Sequence, residues 1–221
     1  MKVSVLILQQ QWSFSRVIID SMQNILVTSA GKRVVLVELF KRALKACDQA
    51  AKVYTTDLNP ELAPAGIASD KCFRVPRVLS SDYISILLNI CVRNNIGMVI
   101  PTIDTELLVL SQNKQKFYDK GIALIISDFS FIQLCRDKRN TAIFFHEIGI
   151  RIPAPIDKLY PVFPLFAKPY DGSLSKDLYV IRNSEELTPE ILNHPKLIFM
   201  EYIDKACLLY TSPSPRDRQK S

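Results

Sequence analysis

From residue 24 onward, short apolar runs alternate with segments of helical periodicity, and this alternation most restricts what the chain can fold into. A strand buried on both faces reads as a near-continuous apolar run, and a helix crossing over such a sheet repeats its apolar residues every three or four positions. Residues 24–28 give a first strand and 32–47 a first helix, with Val35, Leu36, Leu39, Phe40, Ala43 and Leu44 at helical spacing. A strand at 52–56 ends at Asp57, and Asn59-Pro60 opens a loop leading to a strand at 72–75. Helix 83–93, strand 98–101, helix 105–117 and strand 122–126 complete an expected parallel sheet of about five strands, a usual size. The expected fold class is α/β, with a Rossmann-like domain over residues 22–126.

The pattern changes after residue 127. Asp128 is placed to cap a short helix to Cys135, Arg136-Asp-Lys138 opens another to Ile148, and Gly149 ends it. Ile152-Pro-Ala-Pro155 reads as a stop. A strand at 164–168, a polar turn at 170–176, a strand at 178–181, a helix at 184–193 and a strand at 196–203 then give an α+β unit over 127–206. The chain contains no fixed-period repeat.

Hydrophobic residues at 48% and charged residues at 23% fit a soluble globular chain, and 221 residues suffice for one large domain or two small ones. No apolar run approaches the ~20 residues of a membrane span or the ~7–15 of a secretory signal core. A cytoplasmic protein without membrane contact is expected. Cys47, Cys72, Cys91, Cys135 and Cys207 are scattered without a CxxC pair, and His146 and His194 lie outside any HExxH frame, which argues against a disulfide framework and a zinc site. The net charge of +6 lacks the clustered Lys and Arg with interleaved aromatics of a nucleic-acid footprint, so no nucleic-acid partner is expected.

Both ends differ in character from the body. Met22 is a second candidate start, so residues 1–21 read as an upstream in-frame extension, with residues 3–8 as an added edge strand the alternative. Residues 207–221 begin Cys-Leu-Leu-Tyr-Thr-Ser-Pro-Ser-Pro-Arg-Asp, which resembles the conceptual translation of a transposon-type sequencing adaptor. A Ser/Pro-rich disordered tail is the alternative. On the first reading the native polypeptide stops near Ala206.

Three constellations carry chemistry. The turn Thr28-Ser29-Ala-Gly31-Lys-Arg33, between first strand and first helix, offers unpaired helix N–H groups to an anion where parallel sheets bind ligands. It is neither GxGxxG nor GxxxxGK[ST], which disfavours a nicotinamide oxidoreductase, and Gly31 is equally read as a turn glycine beside solvated Lys32 and Arg33. Asp104 and Glu106, in Pro101-Thr-Ile-Asp-Thr-Glu106, are suited to sensing a substrate ammonium or ordering a basic side chain, or simply to a helix dipole. The third runs from Asp137-Lys138 through Phe163-Pro-Leu-Phe-Ala-Lys168-Pro169 and Gly172-Ser173-Leu-Ser175-Lys176 to Phe199-Met-Glu201-Tyr202-Ile203. Lys138 and Lys168 from separate elements are able to bracket phosphates as compact cations, and Gly172, Ser173 and Ser175 suit a loop that closes over phosphate oxygens. Individually, Lys138 also reads as a surface helix lysine and Lys168 as a strand-end cation.

In order and spacing this third constellation resembles the ATP-grasp superfamily, in its carbamoyl-phosphate-synthase-like branch that includes the pyrrolysine-biosynthesis ligase type. The resemblance extends from Met22 to about Lys205 and takes in Asn24-Ile-Leu-Val-Thr-Ser-Ala-Gly31, Tyr54-Thr-Thr-Asp57 and Ile100-Pro-Thr-Ile-Asp104-Thr-Glu106. It implies a pre-ATP-grasp domain over 22–126 and the first, incomplete part of an ATP-grasp domain over 127–206. It further implies ATP held by Lys138, Lys168, Gly172, Ser173, Ser175 and Lys176, with backbone groups of Glu201, Tyr202 and Ile203 on the adenine edge. Phe199 or Met200 would line the base pocket, and Ser29, Gly31, Asp104 and Glu106 a substrate pocket. Two departures stand out: Leu174 and Asp177 replace glycines of the family's phosphate loop. The family's Mg²⁺ ligands lie downstream of Ile203, so this chain is assigned no metal ligand. The implied activity is ADP-forming ligation of a small-molecule carboxylate, activated as an acyl phosphate, to an amine or other nucleophile by a homodimer. A chain ending at Ala206 would itself be catalytically silent. A non-catalytic Rossmann-like nucleotide or metabolite-binding module is the rival reading.

Overall fold

The computed structural model describes residues 24–172 and 176–204. Ser173, Ser175, the candidate start at Met22, residues 3–8 and the tail from 207 lie outside them. The chain divides after Ile132 into two compact units.

The first unit holds β1 (Asn24–Thr28), α1 (Val34–Cys47), β2 (Val53–Asp57), α2 (Pro64–Ala68), β3 (Lys71–Arg74), α3 (Tyr83–Arg93), β4 (Ile96–Pro101), α4 (Asp104–Gln112), α5 (Lys114–Tyr118) and β5 (Ala123–Leu124). Its five strands run parallel in the order β3-β2-β1-β4-β5. Side chains alternate across a strand, and β1 feeds two cores. Leu26 packs with Val99, Leu124, Tyr83, Leu87, Leu110 and Phe117. Ile25 and Val27 pack with Val53 and with Val37 and Leu44 of α1. Burial on both faces is why β1 reads as an unbroken apolar run.

Three local departures from the sequence expectation have physical causes. Ser29 (φ 47°) and Gly31 (φ 51°) turn left-handed, so α1 starts at Val34 instead of residue 32. The helix expected over 105–117 breaks at Asn113, whose amide donates back to the Val109 carbonyl at 2.9 Å and competes with the helical ladder. The expected loop after Asn59 contains a 3₁₀ turn at Pro60–Leu62 and the short helix α2, each with proline in its first turn. In α2, a Cβ on Gly66 would lie 2.9 Å from Cys72 Sγ and 3.0 Å from its Cβ. Gly66→Ala is therefore expected to lose about 1–3 kcal/mol to overpacking. Urea unfolding checks it, and an unchanged midpoint would show that β3 yields freely.

The second unit contains α7 (Lys138–Glu147), β6 (Leu165–Pro169), β7 (Tyr179–Ile181), α8 (Pro189–Leu192) and β8 (Leu197–Glu201), while α6 (Phe129–Arg136) spans the division. The strands form an antiparallel sheet in the order β7-β6-β8. Leu165, Ala167, Ile181, Leu197 and Phe199 form the core on one face, with Leu187, Ile191 and Leu192 packed against it. The helix expected over 184–193 shrinks to α8. Asn183 Oδ1 takes the Glu185 and Glu186 N–H groups into a turn, and Pro189, lacking an N–H, starts the helix behind Thr188, whose hydroxyl accepts from Ile191 N. Residues 154–156 run along the outer side of β8: Ile156 N donates to Phe199 O at 2.9 Å and Glu201 N to Ala154 O at 2.8 Å.

Candidate functional site

In the first unit the candidate residues gather where β1 and β4 end. Glu106, in the first turn of α4, is 0% exposed. Its Oε2 accepts from Thr28 Oγ1 at 2.5 Å, and its Oε1 accepts from Tyr83 Oη at 3.0 Å and from Ser29 Oγ. Burial raises the Glu106 carboxyl above the ordinary glutamate range, while the hydroxyls of Ser29, Thr28 and Tyr83 and the Arg33 charge pull it partly back. Burial, with Glu106 beside it, also raises the Tyr83 phenol, so it remains a donor.

The same network fixes the turn. Thr102 Oγ1 donates to the Thr28 and Ser29 carbonyls at 2.8 Å each, and Arg33 Nη2 reaches the Thr102 carbonyl at 2.7 Å. Ser29 is thus held in a left-handed conformation that a non-glycine residue rarely adopts. Glu106 faces these hydroxyls, whereas Asp104 is exposed at the first position of α4 and Gly31 sits in the turn itself. Sequence spacing offers no signal for Tyr83 or Thr102, because the pairings join segments 23 to 78 residues apart.

In the second unit the antiparallel register sorts the sheet's side chains by face. Phe166 lies opposite Met200 and Val180, and Lys168 opposite Ile198. These five residues therefore share one face, and the core occupies the other. Phe199 is a core residue at 4% exposure, so of the two side chains expected to line a base pocket only Met200 stands on the face of Lys168.

Lys168 is half-buried, and among the described residues no acceptor lies within hydrogen-bond distance of its Nζ. Burial first, and then the charge of Lys138, lower its ammonium below the ordinary lysine range. Lys138 is the first residue of α7; its backbone N donates to Tyr170 O at 2.9 Å and its Nζ to Gly172 O at 2.5 Å. Asp137 caps α7 by accepting from Arg139 N at 2.8 Å, and the Arg139 side chain holds the carboxyl of Asp137 below the ordinary range. The Arg139 guanidinium also lies 3.8 Å over the Tyr170 ring. Gly172 packs on Pro169, where a Cβ would come within 3.0 Å of the ring.

The structure thus brings Lys138, Lys168 and Gly172 together, while Lys176 is exposed. Glu201 ends β8 with its N–H given to Ala154, leaving the N–H groups of Tyr202 and Ile203 without a backbone acceptor among the described residues. Glu201 lies three positions along β8 from Ile198, which is opposite Lys168, or about 10 Å at ~3.3 Å per residue. Chemically, this is an apolar sheet face with a bare ammonium at one end and free backbone donors at the other. Among the described residues no group of three or more His, Cys, Asp or Glu side chains is placed to hold a metal ion, and no helix is long and apolar enough to cross a membrane.

Residues 25–125 match the PylC-like N-terminal domain family. No curated protein matches the sequence. Among solved structures, the L-amino acid ligase of Bacillus licheniformis matches with a TM-score of 0.60 at 16% identity, covering 82% of this chain and 44% of that one. The biotin carboxylase domain dimer of Hydrogenobacter thermophilus 2-oxoglutarate carboxylase, solved with MgADP, ADP and bicarbonate, matches with a TM-score of 0.59 at 15% identity over 83% of this chain and 45% of that one. Campylobacter jejuni biotin carboxylase in its β,γ-ATP complex matches with a TM-score of 0.57 at 12% identity over 82% and 46%. At these identities the likeness is one of fold, and the chain spans less than half the length of each of these structures.

Proposed function

We propose that the chain, whose residues 25–125 match the PylC-like N-terminal domain family and which shares the fold of the N-terminal part of ATP-grasp enzymes, contributes ATP binding to an ADP-forming ligase. The observation that carries this reading is the face of the second sheet. Phe166, Val180, Ile198 and Met200 form an apolar bed, Lys168 stands at one end with no hydrogen-bond partner among the described residues, and the Tyr202 and Ile203 N–H groups follow the end of β8, which lies about 10 Å along the strand. An elongated ligand with a flat apolar end, acceptors on its edge and an anionic tail fits that order of chemistry. ATP is such a ligand: the base lies over Met200 and Phe166, its edge meets Tyr202 and Ile203, and its phosphates meet Lys168 and Lys138.

In this reading residues 22–126 are the pre-ATP-grasp domain, and 127–206 open the ATP-grasp domain. Gly172 and Lys176 adjoin the phosphates, and the turn with Ser29, Gly31, Asp104 and Glu106 shapes the pocket for the second substrate. The reaction is transfer of the γ-phosphoryl group to a carboxylate, followed by attack of an amine or another nucleophile on the acyl phosphate and loss of phosphate. The substrates are small molecules and the protein is a cytoplasmic homodimer.

Calorimetry of the 221-residue chain with ATP tests the reading. Binding is expected, weakened about tenfold in Lys138→Ala by loss of one charge-assisted hydrogen bond of ~1.5 kcal/mol. A folded chain that takes up no ATP would sink it. ATP uptake by a longer protein that never releases ADP with any carboxylate and amine would favour a binding module over a ligase.

A further inference from the structure

We infer that Arg139 and Tyr170 are positioning residues: their stack fixes the N-terminus of α7 against the turn after β6 and so aims the Lys138 ammonium at the ligand's phosphates. This inference rests on the ATP reading above.

The geometry forms a closed chain of contacts. Asp137 accepts from the Arg139 backbone and side chain at once, with Arg139 Nη2 to Asp137 Oδ2 at 2.6 Å, which directs the guanidinium over the Tyr170 ring, 3.8 Å from its centroid. Tyr170 in turn accepts from Lys138 N through its carbonyl and donates its own N–H to Lys196 O at 2.9 Å. The far side of the turn is fastened by Lys196 Nζ to Asp171 Oδ2 at 2.6 Å. Lys138 is therefore held at its backbone by Tyr170 and at its ammonium by Gly172, a neutral carbonyl that a phosphate oxygen readily displaces. Its charge is close enough to help lower the Lys168 ammonium, so the spacing of the two lysines depends on this anchorage. Without the stack, the start of α7 is tied to the turn by the Lys138 N–Tyr170 O and Lys138 Nζ–Gly172 O bonds and no side-chain packing from Arg139, so the point from which the lysine side chain projects is less firmly held.

Two readouts on the 221-residue chain test the inference: calorimetry with ATP, and an NMR titration of lysine side chains in which Lys168 is assigned by its loss in Lys168→Met. Tyr170→Ala is expected to weaken ATP about fivefold, in line with a cation–π contact of ~1 kcal/mol, and to move the Lys168 titration part of the way back up. Tyr170→Phe keeps the ring and is expected to behave as wild type in both, which a contribution from the hydroxyl would not allow. Arg139→Ala should reproduce Tyr170→Ala, and Arg139→Lys should recover only part of the affinity. A folded Tyr170→Ala with unchanged ATP affinity and an unmoved Lys168 titration would overturn the inference. A wild-type chain that ignores ATP, while its Lys168 titration still responds to Tyr170→Ala, would overturn the ATP reading and uphold the anchorage of Lys138.

Discussion

Glu106→Ala is expected to lower the unfolding free energy of the first unit by about 3–5 kcal/mol. The substitution strips one buried carboxylate from three hydroxyl donors, two of which, on Thr28 and Tyr83, belong to residues no more than 1% exposed. A buried donor left without a partner costs about 1–3 kcal/mol, and the vacated volume adds to that. Glu106→Gln keeps an acceptor and nearly the same shape, so a loss of about 1 kcal/mol is expected. Tyr83→Phe, which removes one donor together with its hydroxyl, should fall near the same value.

The pH dependence follows from the raised Glu106 carboxyl. A carboxyl that is harder to ionise when folded binds more protons in the folded state than in the unfolded one. Its contribution is therefore most favourable below the ordinary glutamate value of 4.5, and it declines as pH rises from there through the raised value. Glu106→Gln should remove that decline. Urea unfolding of both proteins from pH 4 to pH 8 measures it. A loss below about 1 kcal/mol in Glu106→Ala would mean that water replaces the carboxylate and the network is not what holds the turn.

Lys168→Met is expected to cost about 10- to 100-fold in ATP affinity without lowering stability. A hydrogen bond between an ammonium and a phosphate contributes about 1.5–3 kcal/mol, and methionine cannot supply it. The stability side runs the other way, because burial and Lys138 both make the charged form of Lys168 unfavourable in the fold. A lysine with a lowered folded value binds fewer protons when folded, so its part of the stability rises with pH between that lowered value and 10.5. Methionine keeps most of the stem's packing and removes that rise. Thermal unfolding beside calorimetry decides it: a variant both destabilised and unchanged in affinity would make Lys168 a packing residue.

How far the sequence could be read depended on whether neighbours or distant partners set the conformation. The bounds of β1 and of α3 follow directly from their apolar spacing, since each buries a face built from its own residues. The interruption at Asn113 and the shortening of α8 came instead from single side chains returning to nearby backbone groups, which apolar periodicity does not register. Phe199 and Met200 are equally apolar, and only the register against β6 decides which of them shares the face of Lys168. Lys138 and Lys168 were legible as a cationic pair from their motif context. The spacing of Glu106 suits a substrate-sensing acid or an acidic helix start, but its three donors come from β1, the turn after it and α3, so neither its burial nor its bond to Ser29 could be seen from residues 101–106. The stack of Arg139 on Tyr170 joins the start of a helix to the turn after a strand, which no spacing rule connects.

Residues 154–156, drawn along β8, make the second sheet one-sided with respect to growth. A strand arriving on that flank would have to peel away a segment that already satisfies Phe199 O and Glu201 N, whereas β7 leaves its outer flank unoccupied among the described residues. Only three residues long, β7 gives an incoming strand few ladder positions, a brevity that discourages edge-to-edge association. Among the described residues, strand recruitment into this sheet is thereby directed to a single short flank.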